Sequence, residues 1–348
     1  MLTRLSSAAD LLRPQTFFRT LARVDQLVDT TRELTAAIEA LRVRTEQLAA
    51  IEQLNREQQE DLARLPQRLD RDRISAHIHA AVAATTLCDD PFPHVVVNEW
   101  LPRDVYDIVI DGLPPSVFFA DREVRRQRLL VPFSFAPAYA RHVWHFMAEE
   151  IVGALNEALS RKFEGAVREY VSEFCPRWFD EPRRPLHPSD GRIMLRRAGY
   201  LIEPHRDPRW GFITGLVYLA RPGDREAYGT DLYRVRDDVE ASDDKPLRFA
   251  PQRCELVKSV PFRANTLFAF LNSRGAHGAA IPADAPASLE RYVYQFRLGP
   301  DPTSMKQLLS LMPPAQQARW SGGKTQREYW SASTAASDPY GVDSAARA

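Results

Sequence analysis

A histidine and an aspartate stand two residues apart, His205 and Asp207, within Gly199-Tyr-Leu-Ile-Glu-Pro-His-Arg-Asp207. In extended backbone, residues i and i+2 project to the same side, so both side chains can reach one ion. A nitrogen and a carboxylate oxygen suit Fe(II), which also needs a third protein ligand and open coordination positions. Such a pair alone arises easily by chance. A third ligand is offered by His277, in Phe268-Ala-Phe-Leu-Asn-Ser-Arg-Gly-Ala-His-Gly278, 70 residues past Asp207 and at the end of a run that reads as a buried strand. Gly275 and Gly278 flank it and would let the backbone bend the imidazole inward. Two imidazoles and one carboxylate then occupy one face of the metal and leave the opposite face free.

Fourteen residues after His277 comes Arg291-Tyr-Val-Tyr-Gln-Phe-Arg297. Its alternation reads as a strand with Arg291, Val293, Gln295 and Arg297 on one face and Tyr292, Tyr294 and Phe296 on the other. A guanidinium on a packed strand needs an anionic partner, and it can hold a carboxylate with two parallel hydrogen bonds. The other end of such a dicarboxylate, if a 2-oxo acid, could chelate the iron. Arg291 and Arg297 are both candidates for that anchor. His142-x-x-His145 and His77-x-His79 also have metal-like spacings, but they read as ordinary histidines. Arg206, Arg209 and Trp210 follow the first motif and read equally as substrate contacts or as rim.

These residues must be positioned by a domain spanning about 88–300. Its β-rich runs are Val95–Val97, Ile193–Arg196, Thr214–Leu219, Thr230–Val235, Cys254–Val260, Thr266–Phe270 and Arg291–Leu298. Short strands separated by Gly, Pro and Asp suggest a sandwich or roll. Helical patterns near 103–112 and 137–163 make the whole α+β. Before this domain, residues 1–87 read as a helical region. From about 15 there is no Gly, and no Pro until Pro66; Leu27, Leu34, Leu41 and Leu48 recur every seven residues, with Val24, Thr31, Ile38 and Thr45 at the alternate heptad positions. This pattern predicts a coiled-coil helix whose register shifts near residue 50. After 300, Met305–Leu311 reads as a short helix and the Gly/Ser/Ala-rich stretch from Ser321 as a mostly disordered tail.

Together, the H-x-D, the later His in F-x-F-L-N-S-x-G-x-H-G and the R-Y-x-Y-Q-F-R strand resemble the 2-oxoglutarate and Fe(II)-dependent dioxygenase superfamily, in particular its prolyl-hydroxylase-like branch. The segment Pro91-Phe-Pro-His-Val-Val-Val-Asn-Glu-Trp-Leu-Pro102 resembles the opening segment of bacterial members, and Gly229-Thr-Asp-Leu-Tyr233 the region between the metal ligands. The resemblance covers about 90–300. It implies a double-stranded β-helix (jelly-roll) core with flanking helices. It also implies Fe(II) held by His205, Asp207 and His277, 2-oxoglutarate as cosubstrate, and ascorbate as a candidate reductant. Arg291 maps onto the residue that binds the far carboxylate of 2-oxoglutarate, with Tyr200 near a tyrosine that assists. The implied reaction couples decarboxylation of 2-oxoglutarate to hydroxylation of a substrate C–H bond. Asp207 keeps the carboxylate that halogenating relatives lose.

Bulk composition narrows the rest. The 348 residues carry 46 Lys plus Arg against 46 Asp plus Glu, which leaves no electrostatic footprint for nucleic acid or an anionic membrane. No run approaches a membrane span, and the first 20 residues lack the apolar core of a secretory signal. Three scattered cysteines argue for a reducing compartment, so a cytoplasmic enzyme is expected, self-associating as a dimer or trimer through its N-terminal helix. The substrate is open among small molecules, glycan precursors and peptides. Two other readings are an oligomeric scaffold with a degenerate β-domain and a cupin-like metalloenzyme without 2-oxoglutarate. The second does not require an inward Arg291.

Overall fold

The structure, a computed structural model, describes residues 14–119, 127–131, 135–179, 185–208, 210–237, 247–314 and 316–317. Arg209 and the tail from Ser321 lie outside these residues. The chain divides into two compact units, Met1–Glu52 and Gln53–Ala348, so the helical stretch read as 1–87 is shared between them.

Helix α1 runs from Pro14 to Glu57, and its residues as far as Glu52 belong to the first unit. Residues 18–42 are exposed throughout. Arg42 pairs with Glu39 and Glu46 on either side of it, and Arg32 with Asp29, all at helical i,i+3 or i,i+4 spacing. Such exposed, solvent-screened pairs contribute little to stability.

The second unit combines helices with antiparallel sheet. A six-stranded sheet has the order β1 (His94–Asn98), β9 (Thr266–Leu271), β5 (Ile213–Tyr218), β11 (Arg291–Gly299), β3 (His187–Arg196), β2 (Arg128–Leu130). A five-stranded sheet has the order β7 (Leu247–Arg248), β4 (Leu201–Arg206), β10 (Ala276–Ala280), β6 (Thr230–Val235), β8 (Cys254–Val260). From β3 onward the chain passes back and forth between the two sheets. The strands expected from sequence all appear, most of them within a residue or two. β4 and β10, which carry the two histidine candidates, were not expected as strands, because Glu203, Pro204 and the small residues around His277 have low strand propensity; His277 lies on β10, not at the end of the run from Phe268, which stops at Leu271.

β11 shows why alternation is informative. All nine of its residues are buried. On one face, Tyr292 packs on Phe119 with ring centroids 5.6 Å apart, and Tyr294 packs on Trp144 at 5.5 Å. Phe119 and Trp144 belong to the helical layer, so this face looks outward under the helices. Val293, on the other face, joins Leu216, Tyr218, Phe268 and Phe270 of its own sheet and Leu232 and Val260 of the facing sheet in one apolar cluster. Each such side chain stabilises the fold by roughly 1.5–3 kcal/mol through burial.

The helical layer comprises α2 (Gln59–Arg68), α3 (Arg71–Ala84), α4 (Arg103–Asp111), α5 (Ala138–Phe146), α6 (Val152–Lys162) and α7 (Glu164–Ser172). α3 packs along α6. Asp70 caps α3 by accepting from the Arg73 amide at 3.1 Å. The helix expected over 137–163 is interrupted by a π-helical turn at Met147–Ile151. A final helix α8 (Pro302–Leu311) starts on Asp301, which accepts from the amides of Thr303 and Ser304. No helix among the described residues is long and apolar enough to cross a membrane.

Candidate metal centre

β4 and β10 lie side by side, and in their antiparallel register His205 and His277 are directly paired. Their rings approach with centroids 4.2 Å apart, and Phe270 packs on the His277 ring at 4.5 Å. Gly275 makes the turn into β10. Its φ is +65°, and a Cβ there would meet the Phe92 ring at 2.4 Å and the Tyr233 carbonyl at 2.8 Å. A glycine is therefore required just before the distal histidine. Gly278 follows at a register shift between His277 and Ala279.

Asp207 lies just past the end of β4. His205, Asp207 and His277 are each buried, and one ligand atom from each lies within 4.8 Å of the others. His205 Nε2 is 3.9 Å from Asp207 Oδ1. The His205 Nδ1–H donates to the Glu203 carbonyl at 2.9 Å, which leaves the Nε2 lone pair free to bind a metal. Two nitrogens and a carboxylate oxygen gathered in this way fit an Fe(II)-type site. Among the described residues this is the single such group. His77 instead contacts the Glu99 carbonyl, His142 the Ala138 carbonyl, His79 Glu157 and His145 Glu149.

Asp207 is held from the opposite sheet. The Thr214 hydroxyl, on β5, donates to Oδ2 at 2.8 Å, and the Arg297 guanidinium, on β11, approaches Oδ1 at 3.0 Å. Asn272 completes the chain by donating to the Thr214 oxygen at 2.9 Å. Burial alone would push the Asp207 carboxyl up. The Arg297 guanidinium, the two histidines and the Thr214 hydroxyl outweigh it and hold the carboxyl far below its usual range. Burial, reinforced by His205 alongside, pushes His277 down to about 3. Burial also lowers His205. The three side chains are thus set as two neutral imidazoles and a carboxylate, the forms that bind a metal.

The two arginines of β11 have different surroundings. Arg297 is paired with Asp207 and lies 5.2 Å from the Trp210 ring centroid. Arg291 is 5% exposed, and among the described residues no carboxylate pairs with it. Its Nη2 donates to the Gly229 carbonyl at 3.2 Å, its Nε has no hydrogen-bond partner, and its guanidinium lies 4.8 Å from the Phe262 ring and 5.6 Å from that of Tyr218. Burial depresses this guanidinium, Tyr218 and Tyr200 offset part of that effect, and Arg196 adds to it. Tyr200 is also buried, with the Arg196 guanidinium 4.7 Å above its ring. Arg196 is the direct cross-strand partner of Arg291.

Sequence reasoning missed Arg196, Thr214 and Asn272. Arg196 was legible only as the end of an alternating strand. Thr214 and Asn272 are ordinary strand residues until the fold brings them beside Asp207.

No protein-family model matches this chain, and no curated protein matches it. Solved structures similar to it include the following three. AviO1 from Streptomyces viridochromogenes Tue57 is 14% identical with a TM-score of 0.37, over 71% of this chain and 98% of that one. A Pseudomonas putida prolyl-4-hydroxylase is 14% identical with a TM-score of 0.31, over 64% and 95%. HygX from Streptomyces hygroscopicus, with nickel and 2-oxoglutarate bound, is 15% identical with a TM-score of 0.35, over 60% and 82%.

Proposed function

We propose that this chain is a 2-oxoglutarate- and Fe(II)-dependent oxygenase with a double-stranded β-helix core, hydroxylating a C–H bond of an organic substrate. The observation that carries the reading is a buried His205–Asp207–His277 group with a buried arginine, Arg291, set apart from it. His277 pairs with Leu232, and Gly229, which accepts from Arg291, lies three residues before Leu232. The guanidinium therefore sits roughly 10 Å along the strand from the histidine row. A metal–oxygen bond of about 2 Å and a hydrogen bond of about 2.9 Å leave about 5 Å, enough for an extended five-carbon diacid.

The roles of the residues follow. His205, His277 and Asp207 would hold the ion, and Thr214 and Arg297 keep Asp207 ionised and oriented. Arg291, with Tyr200 and Arg196 beside it, would bind the far carboxylate. Leu216, Val293, Phe268 and Phe270 belong to one apolar cluster, and Phe270 packs on the His277 ring, so this cluster would help keep water from the ion. When bound, Fe(II) would supply the redox chemistry that couples oxidation of a 2-oxo acid to that of a C–H bond. The three unbridged cysteines support a reducing compartment such as the cytoplasm.

The test is anaerobic titration with Fe(II) and then 2-oxoglutarate. A visible metal-to-ligand charge-transfer band is expected, followed by succinate release with a productive member of a substrate panel. Iron binding without that band would remove 2-oxoglutarate from the reading and leave a cupin-like metalloenzyme.

A further inference from the structure

We propose that residues 24–48 bind a second copy of this chain as a parallel two-stranded coiled coil. Among the described residues, nine of the eleven large hydrophobic side chains that stand exposed lie on α1. Six of them form one heptad seam: Val24 (48% exposed), Leu27 (66%), Leu34 (59%), Ile38 (66%), Leu41 (67%) and Leu48 (50%). A continuous apolar stripe of this kind, roughly 37 Å long at 1.5 Å per residue, marks an interaction surface rather than ordinary exposure.

The residue types choose the occupant. Val24, Thr31, Ile38 and Thr45 fill the a positions, and all are β-branched; Leu27, Leu34, Leu41 and Leu48 fill the d positions. β-Branched a with Leu d is the packing that favours two parallel strands. The two threonines fit this seam because their polar atoms are already satisfied within the helix. Thr31 donates its hydroxyl to the Leu27 carbonyl at 2.7 Å and Thr45 to that of Leu41 at 2.9 Å. Their methyl groups remain for the seam.

The flanks raise no objection. In a parallel pair, Arg23 would face Val28, Thr30 would face Thr35, Ala37 would face Arg42 and Arg44 would face Ala49, so no like charges meet. Arg42 is already neutralised by Glu39 and Glu46 of its own helix. The a and d side chains of two copies, with Leu21 and Val28 beside them, would remove on the order of 1,000 Å² from water, the size at which a specific interface begins.

The test is sedimentation equilibrium of the full chain. The expected mass is twice the 39.6 kDa of one chain. A Leu34→Lys, Leu41→Lys variant is expected to sediment at half the wild-type mass with an unchanged thermal unfolding midpoint for the second unit. A monomeric wild type, or a trimer or tetramer, overturns the proposal. Orientation is read by oxidising Leu27→Cys and, separately, Leu48→Cys in a Cys88→Ser background. In a parallel pair each position meets its own copy, so both are expected to form disulfide-linked dimers. In an antiparallel pair Leu27 meets Thr45 and Leu48 meets Val24, so failure of both to cross-link overturns the parallel arrangement.

Discussion

Replacement of Arg291 by Met separates its proposed role from a structural one, because binding should fall steeply while stability stays nearly unchanged. Two parallel charge-assisted hydrogen bonds to a buried carboxylate are worth about 3–4 kcal/mol. At about 1.4 kcal/mol per tenfold, the dissociation constant for 2-oxoglutarate should rise roughly 100- to 1,000-fold. The protein without ligand gains or loses little. Arg291 is a buried cation whose Nη2 contacts one carbonyl and whose Nε has no partner, so an apolar side chain of similar length removes an uncompensated charge. Loss of the donor to Gly229 costs about 1 kcal/mol at most. The assay is anaerobic calorimetric titration of 2-oxoglutarate into Mn(II)-loaded wild type, Arg291→Met and Arg297→Met, with thermal unfolding of each metal-free protein. Mn(II) affinity should be preserved in Arg291→Met and reduced in Arg297→Met, which loses the cation beside Asp207. The reasoning fails if Arg291→Met binds 2-oxoglutarate within threefold of wild type while Arg297→Met does not.

Other substitutions probe the same geometry. His205→Ala should abolish coupled succinate formation, and retained activity would show that the ligands are wrongly chosen. Thr214→Val removes the donor to Asp207 Oδ2 and leaves an Asn272 N–H unmatched; metal affinity should fall about 10- to 100-fold, read by competition with a chelating dye. His94, away from the metal centre, gives a pH signature. It is buried, with its Nδ1–H on the Phe92 carbonyl and Lys258 3.4 Å from Nε2. Burial is the main cause that lowers it, and Lys258 adds to the effect. Its folded value lies below the ordinary 6.5, so the unfolded chain binds more protons as pH falls through that range. The neutral ring's contribution is complete above about 6.5 and is lost as pH drops below it. His94→Gln should flatten the fall in urea midpoint between about pH 7 and 5, and an unchanged slope would count against this role for His94.

The sequence made one face of the site legible and hid the other. β5, β6, β8, β9 and β11 are readable because β-branched and aromatic residues alternate or run together in them. β4 and β10 are held by pairing with their neighbours rather than by propensity. The run around His277 therefore gave a ligand but not the strand that carries it. The heptads of α1 gave a continuous helix, whereas 137–163 gave no sign of the π turn at Met147–Ile151, which costs only a shift in hydrogen-bond register. Alternation placed Arg291 and Arg297 on one face, but it could not say which was already occupied. That depends on Asp207, 90 residues earlier, lying across from the end of β11. With Arg297 committed to Asp207, Arg291 is the one of the two with no carboxylate partner among the described residues.

This division of labour sets an order of binding. An anion that approaches the triad without a metal meets the Asp207 carboxylate. Two like charges about 4 Å apart repel by about 4 kcal/mol at an effective dielectric of 20, and Arg297 cancels part of that. A divalent cation reverses the sign at that end, while Arg291 holds the other carboxylate in either case. The metal-free protein should therefore bind 2-oxoglutarate at least about 100-fold more weakly than the Mn(II)-loaded protein. By linkage, 2-oxoglutarate should tighten Mn(II) binding by the same factor. Both arms are measurable in one calorimetric cycle. Equal affinity with and without Mn(II) would mean that the acid is held by Arg291 and its neighbours alone, with neither carboxylate at the triad, and the two-ended reading of the site would have to be given up.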